Sequence, residues 1–207
     1  MTESYLPIPQ EELEKSYEYF KEVRKRDDWV WEQLEILRQN HPRVYEHSLR
    51  VGFLATELAI YDGLPHEEIL EMTKAGLLHD IGKGNLPEKI LEGGILPQEE
   101  KKKIYRHVRI GYRLIKPFDP LVAKIIVGHH EFQSEPYPRQ ASRLDENDTI
   151  KRMQFLLALS DQTDSLLSHR SYKEAWSPIR TQEELTKSFN DQGLIQLAIK
   201  TRSQILP

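Results

Sequence analysis

Apolar residues recur at intervals of three and four along most of the chain, the pattern of helices that bury one face. Two charged segments come first, at residues 10–25 and 28–39, and the second carries Val30, Leu34 and Leu37 on its apolar face. No segment alternates apolar and polar residues with β-branched enrichment, as a half-buried strand would. The pattern therefore predicts an all-α fold, a single-domain helical bundle.

Histidines interrupt the apolar faces of these predicted helices. His47 falls on the apolar face of a helix expected from about Pro42 to Tyr61. The next helix is expected to stop at His79 and Asp80, because two glycines follow closely and favour termination. An imidazole and a carboxylate thus stand side by side at the end of an apolar helix.

The same combination recurs further along the chain. A third helix is expected to place four residues on one face: Ile104, His107, Gly111 and Leu114. Asp119 is expected to cap a fourth helix that runs into His129 and His130, and a later apolar run contains Asp161. The inward positions of the predicted bundle therefore include several histidines and aspartates, the residue types that bind metal ions through nitrogen and oxygen.

Each of these residues alone is typical of a hydrogen-bonded core histidine or a paired aspartate. Together they would bury so many polar and charged groups that a further partner is needed to offset the loss of hydration. An unpaired buried carboxylate costs several kcal/mol, and divalent cations can neutralise such a group. We expect two cations about 3.5–4 Å apart, iron or manganese, with zinc, nickel or cobalt as alternatives. Asp80 is expected to bridge them. The predicted metal ligands are His47, His79, Asp80, His107, His129, His130 and Asp161.

Composition narrows the classes of function. The 207 residues are 38% hydrophobic and 30% charged, which is typical of a soluble globular protein. No apolar run approaches the roughly 20 residues that cross a bilayer, and no export signal is present, so we expect no membrane partner and a cytoplasmic location. A net charge of −4 argues against long nucleic acids, whereas a small anionic substrate needs only a local positive site. The absence of cysteine leaves nitrogen and oxygen as metal ligands.

The order H…HD…H…HH…D resembles the HD superfamily of metal-dependent phosphohydrolases. It is most similar to the HD-GYP branch, whose members are typically cyclic di-GMP phosphodiesterases. The resemblance runs from about His47 to Ala175 and includes HSLRV, LLHDIGKGNLPEKIL, RHVRIGYRLI and ALSDQTDSLLSHRSYKEA. It implies a helical HD-type domain at residues 41–207, which we expect to follow an N-terminal helical extension at residues 1–40 packed on the core.

The resemblance also implies roles for individual residues. Asp80 and Lys83 would be catalytic, with Asp80 positioning the nucleophile and Lys83 touching a substrate phosphate. Arg170 and Lys173 would hold phosphate oxygens further out. The implied reaction is hydrolysis of a phosphodiester or phosphomonoester in a small nucleotide, cyclic dinucleotides included, by a hydroxide that bridges the metals.

Departures from the branch pattern leave specificity open. After HHE, the stretch FQSEPYPR is one residue shorter than the branch signature, and Pro136 replaces its glycine. Arg43 stands where some members carry a glutamate for a third metal, so we expect two metals. The alternatives are a non-catalytic nucleotide- or partner-binding module and a di-iron oxygenase. The sequence shows no receiver or sensor domain, so we expect regulation through the N-terminal segment or a protein partner; the oligomeric state stays open.

Overall fold

The computed structural model describes residues 10–91, 97–133, 135–137, 147–169 and 174–205, with side chains from residue 14 onward. Within these residues the chain forms helices and turns and contains no strand, which confirms the predicted all-α fold. None of the helices described is both long enough and apolar enough to traverse a lipid bilayer.

The helices follow one another with short connections. In chain order they are α1 (Gln10–Arg26), α2 (Trp29–Asn40), α3 (Pro42–Tyr61), α4 (His66–Leu78), a 3₁₀ turn (Ile81–Lys83), α5 (Glu88–Leu91), α6 (Gln98–Tyr105), α7 (His107–Ile115), α8 (Pro120–Val127), α9 (Asp148–Leu167), α10 (Pro178–Leu185) and α11 (Gln192–Gln204). Side-chain caps begin several of them, for example Asp119 at α8 and Asn147 at α9.

Helices α3 and α4 cross in the core at a pair of glycines. A Cβ atom on Gly76 would lie 2.6 Å from the Cα atom of Gly52, so this close approach requires glycine. Further along, Thr56 and Thr73 share a buried hydrogen bond of 2.8 Å. The two pairs show that α3 and α4 run antiparallel, so the start of α3 and the end of α4 lie at the same end of the bundle.

The helix predicted around His107 is broken into two. Arg106 forms a turn between the end of α6 and the start of α7. The prediction that Leu114 shares the buried face with His107 is wrong, because Leu114 is 39% exposed and Ile115 is fully buried. At about 100° per residue, Leu114 lies only about 20° from His107 around the helix, but on the side away from Val108, Gly111 and Ile115, which form the rest of the buried face of α7.

The flanking helices pack on the central ones. α1 contacts α3 and α4, and α2 contacts both of these and the 3₁₀ turn. Val30, Leu34 and Leu37 of α2 are buried, as their spacing predicts. The side chain of Asn40 donates a hydrogen bond of 3.1 Å to the carbonyl oxygen of Gly84, just after the 3₁₀ turn. The division between an N-terminal extension and a catalytic domain at residue 40 stays a prediction.

Candidate metal centre

The seven residues that the sequence singles out as metal ligands meet at one end of the bundle. They come from α3, the end of α4, the start of α7, the end of α8 and the middle of α9. Their donor atoms form three overlapping groups, each within 4.8 Å: His107, His129 and His130; His47, His79 and Asp80; and His79, His129 and Asp161. The antiparallel course of α3 and α4 explains why His47 and His79, 32 residues apart, have Nε2 atoms separated by 3.2 Å.

Three of the histidines are oriented by backbone carbonyl groups that precede them in the chain. In each, Nδ1–H donates to the carbonyl oxygen three residues earlier, which assigns the proton to Nδ1 and leaves the Nε2 lone pair free. The distances are 2.9 Å from His79 to Gly76, 2.6 Å from His107 to Ile104 and 2.5 Å from His129 to Ile126. Free Nε2 lone pairs directed at a common centre are the arrangement that a cation requires.

Burial keeps several of these imidazoles neutral. It lowers the pKa of His107 and lowers that of His129 well below the usual histidine value. The pKa of His130 falls to about 3, again chiefly through burial. Neutral imidazole is the form that coordinates metal ions, so these three residues need no deprotonation to bind one at neutral pH.

Two buried carboxylates face the imidazoles. Burial acts to raise the pKa of Asp80, but the positive charge of Lys83, with Nζ 2.5 Å from Oδ2, helps to hold it well below its usual range. Burial also acts to raise the pKa of Asp161. The hydrogen bond with His47, whose Nε2 lies 3.1 Å from Oδ1, helps to hold that pKa well below its usual range. Burial acts to lower the pKa of His47, but Asp161 and Asp164 raise it to about 9. The site therefore holds two ionised carboxylates at neutral pH.

The donor atoms fit divalent cations. Within the described residues, both ring nitrogens of His130 and Oδ1 of Asp80 are buried without a hydrogen-bond partner. Nε2 of His107 lies 3.2 Å from that oxygen, but His107 carries its proton on Nδ1 and has none to donate there. Each unsatisfied buried polar atom costs about 1–3 kcal/mol. Imidazole nitrogen and carboxylate oxygen suit iron, manganese, zinc, nickel and cobalt. Metal ions held by these residues would satisfy the unpaired atoms and balance the two carboxylates.

Comparison with known proteins agrees with this geometry. The sequence model of the HD domain family matches residues 44–165, more than half of the 207 residues and a range that includes all seven candidate ligands. The chain belongs to the HD domain family. The resemblance inferred from the order of histidines and aspartates is thereby confirmed.

Curated relatives of this HD domain are longer proteins. A cyclic di-GMP phosphodiesterase of Thermotoga maritima is 34% identical over 171 residues, which cover 78% of this chain and 45% of the relative. The cyclic di-GMP phosphodiesterase response regulator RpfG of Xanthomonas campestris is 34% identical, covering 62% of this chain and 34% of the relative. The 3′3′-cGAMP-specific phosphodiesterase 2 of Vibrio cholerae is 30% identical, covering 67% of this chain and 27% of the relative. The chain thus spans less than half the length of these relatives.

A solved structure supports the fold. The HD domain of the L. monocytogenes phosphodiesterase PgpH, in complex with cyclic-di-AMP, is 19% identical and matches with a TM-score of 0.58. The match covers 82% of this chain and 94% of the solved one. The helical arrangement described above is therefore that of an HD domain.

An ionic cluster behind His47 is absent from the sequence-based prediction of the site. Nδ1–H of His47 donates to Oδ2 of Asp164 at 2.7 Å, and Asp164 also accepts from Arg50 and Arg202. Burial acts to raise the pKa of Asp164, but the hydrogen bonds from His47 and Arg50 hold it below its usual range. Asp164 lies three residues after Asp161 and so on the same face of α9, which could have indicated it as a partner of His47. Nothing in the sequence pattern points to Arg202.

The predicted substrate residues are only partly described by the structure. Lys83 lines a cavity of about 990 Å³ that opens beside the ligand cluster, and its Nζ contacts Asp80. Arg43, which stands where some members of the branch carry a glutamate for a third metal, lines the same cavity and is exposed. Arg170 and Lys173 lie outside the described residues. The roles of these side chains in substrate binding stay predictions.

Tyr137, in the described part of the shortened stretch after α8, packs against one residue of the histidine pair, His130. The ring of Tyr137 stacks on His130 at 4.5 Å between centroids and on Tyr105 at 4.2 Å. Phe132 instead packs against Phe155 at 5.7 Å. Pro138, with the residues that follow it up to 146, lies outside the described part of the chain. Of the two aromatic residues that precede Pro138, only Tyr137 reaches the candidate metal centre.

Proposed function

We propose that this HD domain is a metal-dependent phosphodiesterase that hydrolyses a cyclic dinucleotide with two divalent cations. The observation that carries the proposal is the convergence of five histidines and two aspartates on one centre, where several buried donor atoms have no hydrogen-bond partner among the described residues. The names of the relatives support phosphodiester chemistry, because they include cyclic di-GMP and 3′3′-cGAMP phosphodiesterases. The proposal concerns the activity of this chain, which is shorter than those relatives.

The proposed ligands are enough to bind two metal ions. Seven candidate residues exceed what one catalytic ion with open positions uses. The two oxygens of Asp80 face different histidines, with Oδ1 3.2 Å from Nε2 of His107 and Oδ2 3.4 Å from Nε2 of His79, so Asp80 would serve both ions. We favour iron or manganese, with zinc, nickel or cobalt as alternatives. Bound there, divalent cations supply Lewis acidity toward a phosphoryl oxygen and lower the pKa of water. The proposed set is His47, His79, Asp80, His107, His129, His130 and Asp161.

The remaining chemistry belongs to side chains of the chain itself. Asp80 is proposed to position the attacking water, because a carboxylate oxygen that would face a cation keeps a second lone pair, which can accept a hydrogen bond from water. Lys83, whose Nζ contacts Oδ2 of Asp80, is proposed to neutralise charge that builds on a phosphoryl oxygen. Arg170 and Lys173 are proposed to hold a more distant phosphate, which arginine can grip with two parallel hydrogen bonds.

The cavity supports a substrate with more than one phosphate. Its volume of about 990 Å³ lies at the upper end of the range for ligand pockets, roughly 300–1,000 Å³. Cationic side chains line it at several points: Arg43, Arg50, Lys83 and Arg202. A cyclic dinucleotide carries two phosphodiesters on opposite sides of its ring and would place one at the metals and the other near Arg43, whose side chain is exposed.

A hydrolysis panel tests the proposal. The chain would be loaded with Mn²⁺ or Fe²⁺ and incubated with cyclic di-GMP, 3′3′-cGAMP, cyclic di-AMP, a linear dinucleotide and mononucleotides, with products separated by chromatography. We expect opening of at least one cyclic dinucleotide. His79→Ala and Asp80→Ala should abolish turnover, whereas Asp148→Ala, which removes an exposed aspartate of α9, should retain it.

Three outcomes would contradict the proposal in different ways. Tight binding of a cyclic dinucleotide without product, in protein that holds its metals, would identify a non-catalytic binding module. Oxygen consumption without phosphate-ester cleavage would identify a di-iron oxygenase. Undiminished hydrolysis by Asp80→Ala would mean that the reaction does not use this cluster.

A further inference from the structure

Arg202 reaches the candidate metal centre from outside the part of the chain that matches the HD family. It lies on α11, 37 residues beyond the last matched residue, Ser165. Its side chain is only 11% exposed, and Nε donates to Oδ1 of Asp164. Nη2 donates to Oγ of Ser168 at 3.2 Å, and Nη1 to the carbonyl oxygen of Ile205 at 3.3 Å. All sides of this guanidinium are thus engaged within the protein.

The carboxylate that Arg202 contacts is shared between two arginines and a candidate ligand. Oδ1 of Asp164 accepts from Nε of both Arg202 and Arg50, the latter at 2.7 Å. Oδ2 accepts from Nδ1 of His47 at 2.7 Å and from Nη2 of Arg50 at 3.1 Å. Oγ of Ser168 also donates to Oδ2, at 3.2 Å. Arg202 therefore holds only Oδ1, while Arg50 holds both oxygens, and together they fix the direction in which Oδ2 meets His47.

The alignment of Asp164 decides where His47 points. A hydrogen bond at Nδ1 assigns the proton to that nitrogen and leaves Nε2 to face Asp161, 3.1 Å away, and His79. Asp164 is fully buried, and a buried carboxylate that loses a partner turns toward those that remain. Without Arg202, only Arg50 would hold Oδ1, and the direction of the Asp164–His47 hydrogen bond would lose one of its constraints.

We propose that Arg202 is a positioning residue for the metal centre, which orients His47 through Asp164 and makes α11 a functional part of the site. The proposal rests on the proposed function only in requiring that this centre binds divalent cations. A purely structural role, in which Arg202 joins α11 to α9, is the competing explanation. The two explanations differ in whether metal affinity depends on this arginine.

Arg152 provides a matched control. It lies on α9, the helix that Arg202 contacts. It pairs with Asp191, the residue that caps α11, at 3.4 Å, and with Asp62 at 2.9 Å. It therefore ties the same two helices together, but it lines neither the cavity nor the ligand cluster. Replacing Arg152 or Arg202 by methionine keeps much of the aliphatic stem and removes the guanidinium in each case.

The experiment measures Mn²⁺ affinity by calorimetry on the full metal-free chain, together with the melting temperature. Outer partners of metal ligands are worth about 10–100-fold in affinity, and we expect Arg202→Met to weaken binding by about tenfold. Arg202→Lys should recover part of the loss, because an ammonium can still donate to Oδ1. Arg152→Met should lower the melting temperature and leave Mn²⁺ affinity unchanged. If Arg202→Met does not fold, Arg202→Gln takes its place with the same expectation.

The outcomes separate this inference from the proposed function. Wild-type Mn²⁺ affinity in Arg202→Met, or an equal loss in Arg152→Met, would overturn the positioning role. A wild-type chain that binds no Mn²⁺, Fe²⁺ or Zn²⁺ would overturn both proposals. A wild-type chain that binds metal but cleaves no nucleotide would refute the proposed function alone, and the dependence of metal affinity on Arg202 would still support the inference.

Discussion

Replacing Gly82 by alanine should separate the turn that carries Asp80 from helix α7. Gly82 lies in the 3₁₀ turn directly after Asp80, and its Cα faces the backbone at the start of α7. An added Cβ would lie 2.0 Å from the carbonyl oxygen of His107 and 2.8 Å from the backbone nitrogen of Gly111. Backbone atoms cannot rotate aside as a side chain does, so the two segments must move apart.

The size of this movement follows from the distances. Real Cβ contacts essentially never fall below 3.0 Å, so relieving the 2.0 Å contact requires a separation of at least 1.0 Å. Overpacking of this kind costs about 1–3 kcal/mol, and the backbone obstacle places Gly82→Ala near the upper value. At about 2–4 °C per kcal/mol for a chain of this size, the melting temperature should fall by roughly 6–12 °C. Asp80 and His107 lie on opposite sides of the contact, so metal affinity should fall as well.

Gly111→Ala is the matched control for this contact. Its added Cβ would lie at 3.5 Å from the side chains of Ile126 and Ile81, an ordinary van der Waals distance. Alanine is also favoured over glycine within a helix by about 1 kcal/mol. Thermal melts and Mn²⁺ titrations of both variants provide the test. The reasoning is refuted if Gly82→Ala melts and binds Mn²⁺ like the wild type, or if Gly111→Ala is the more damaged of the two.

Three further predictions address other parts of the molecule. Asp161→Ala should reduce the bound metal measured by elemental analysis, because its carboxylate lies among the Nε2 atoms; full metal content would exclude it as a ligand. Arg43→Ala should raise KM for a cyclic dinucleotide several-fold with little change in kcat, because Arg43 lines the cavity apart from the ligand cluster; an unchanged KM would exclude this contact. Burial raises the pKa of Glu71 from 4.5 to about 7, so the folded state binds its proton more tightly and stability should fall as pH rises through this range. Glu71→Gln should therefore gain melting temperature relative to the wild type between pH 4.5 and 8, and a difference independent of pH would contradict this.

The helical fold and the seven candidate ligands could be predicted from the sequence because both depend on local spacing. A histidine at the position of His47 shares a helix face with apolar residues that must be buried, and its direction follows from the helical period. The same reasoning failed at Leu114, because the turn at Arg106 separates Ile104 from α7, whose buried face runs through Val108, Gly111 and Ile115 and leaves Leu114 exposed. Local spacing therefore indicates which residues face inward but not where a helix breaks.

The sequence by itself determined the helical class, the inward histidines and aspartates, and the nitrogen and oxygen chemistry that suits divalent cations. Only the tertiary structure decided which of the remaining polar residues contact these groups. Asp164 meets His47 across 117 residues and Arg202 across 38, and neither contact follows from the period of a single helix. Such contacts depend on how closely helices cross, as at Gly52 and Gly76, and that distance is set by the packing of side chains from the whole core.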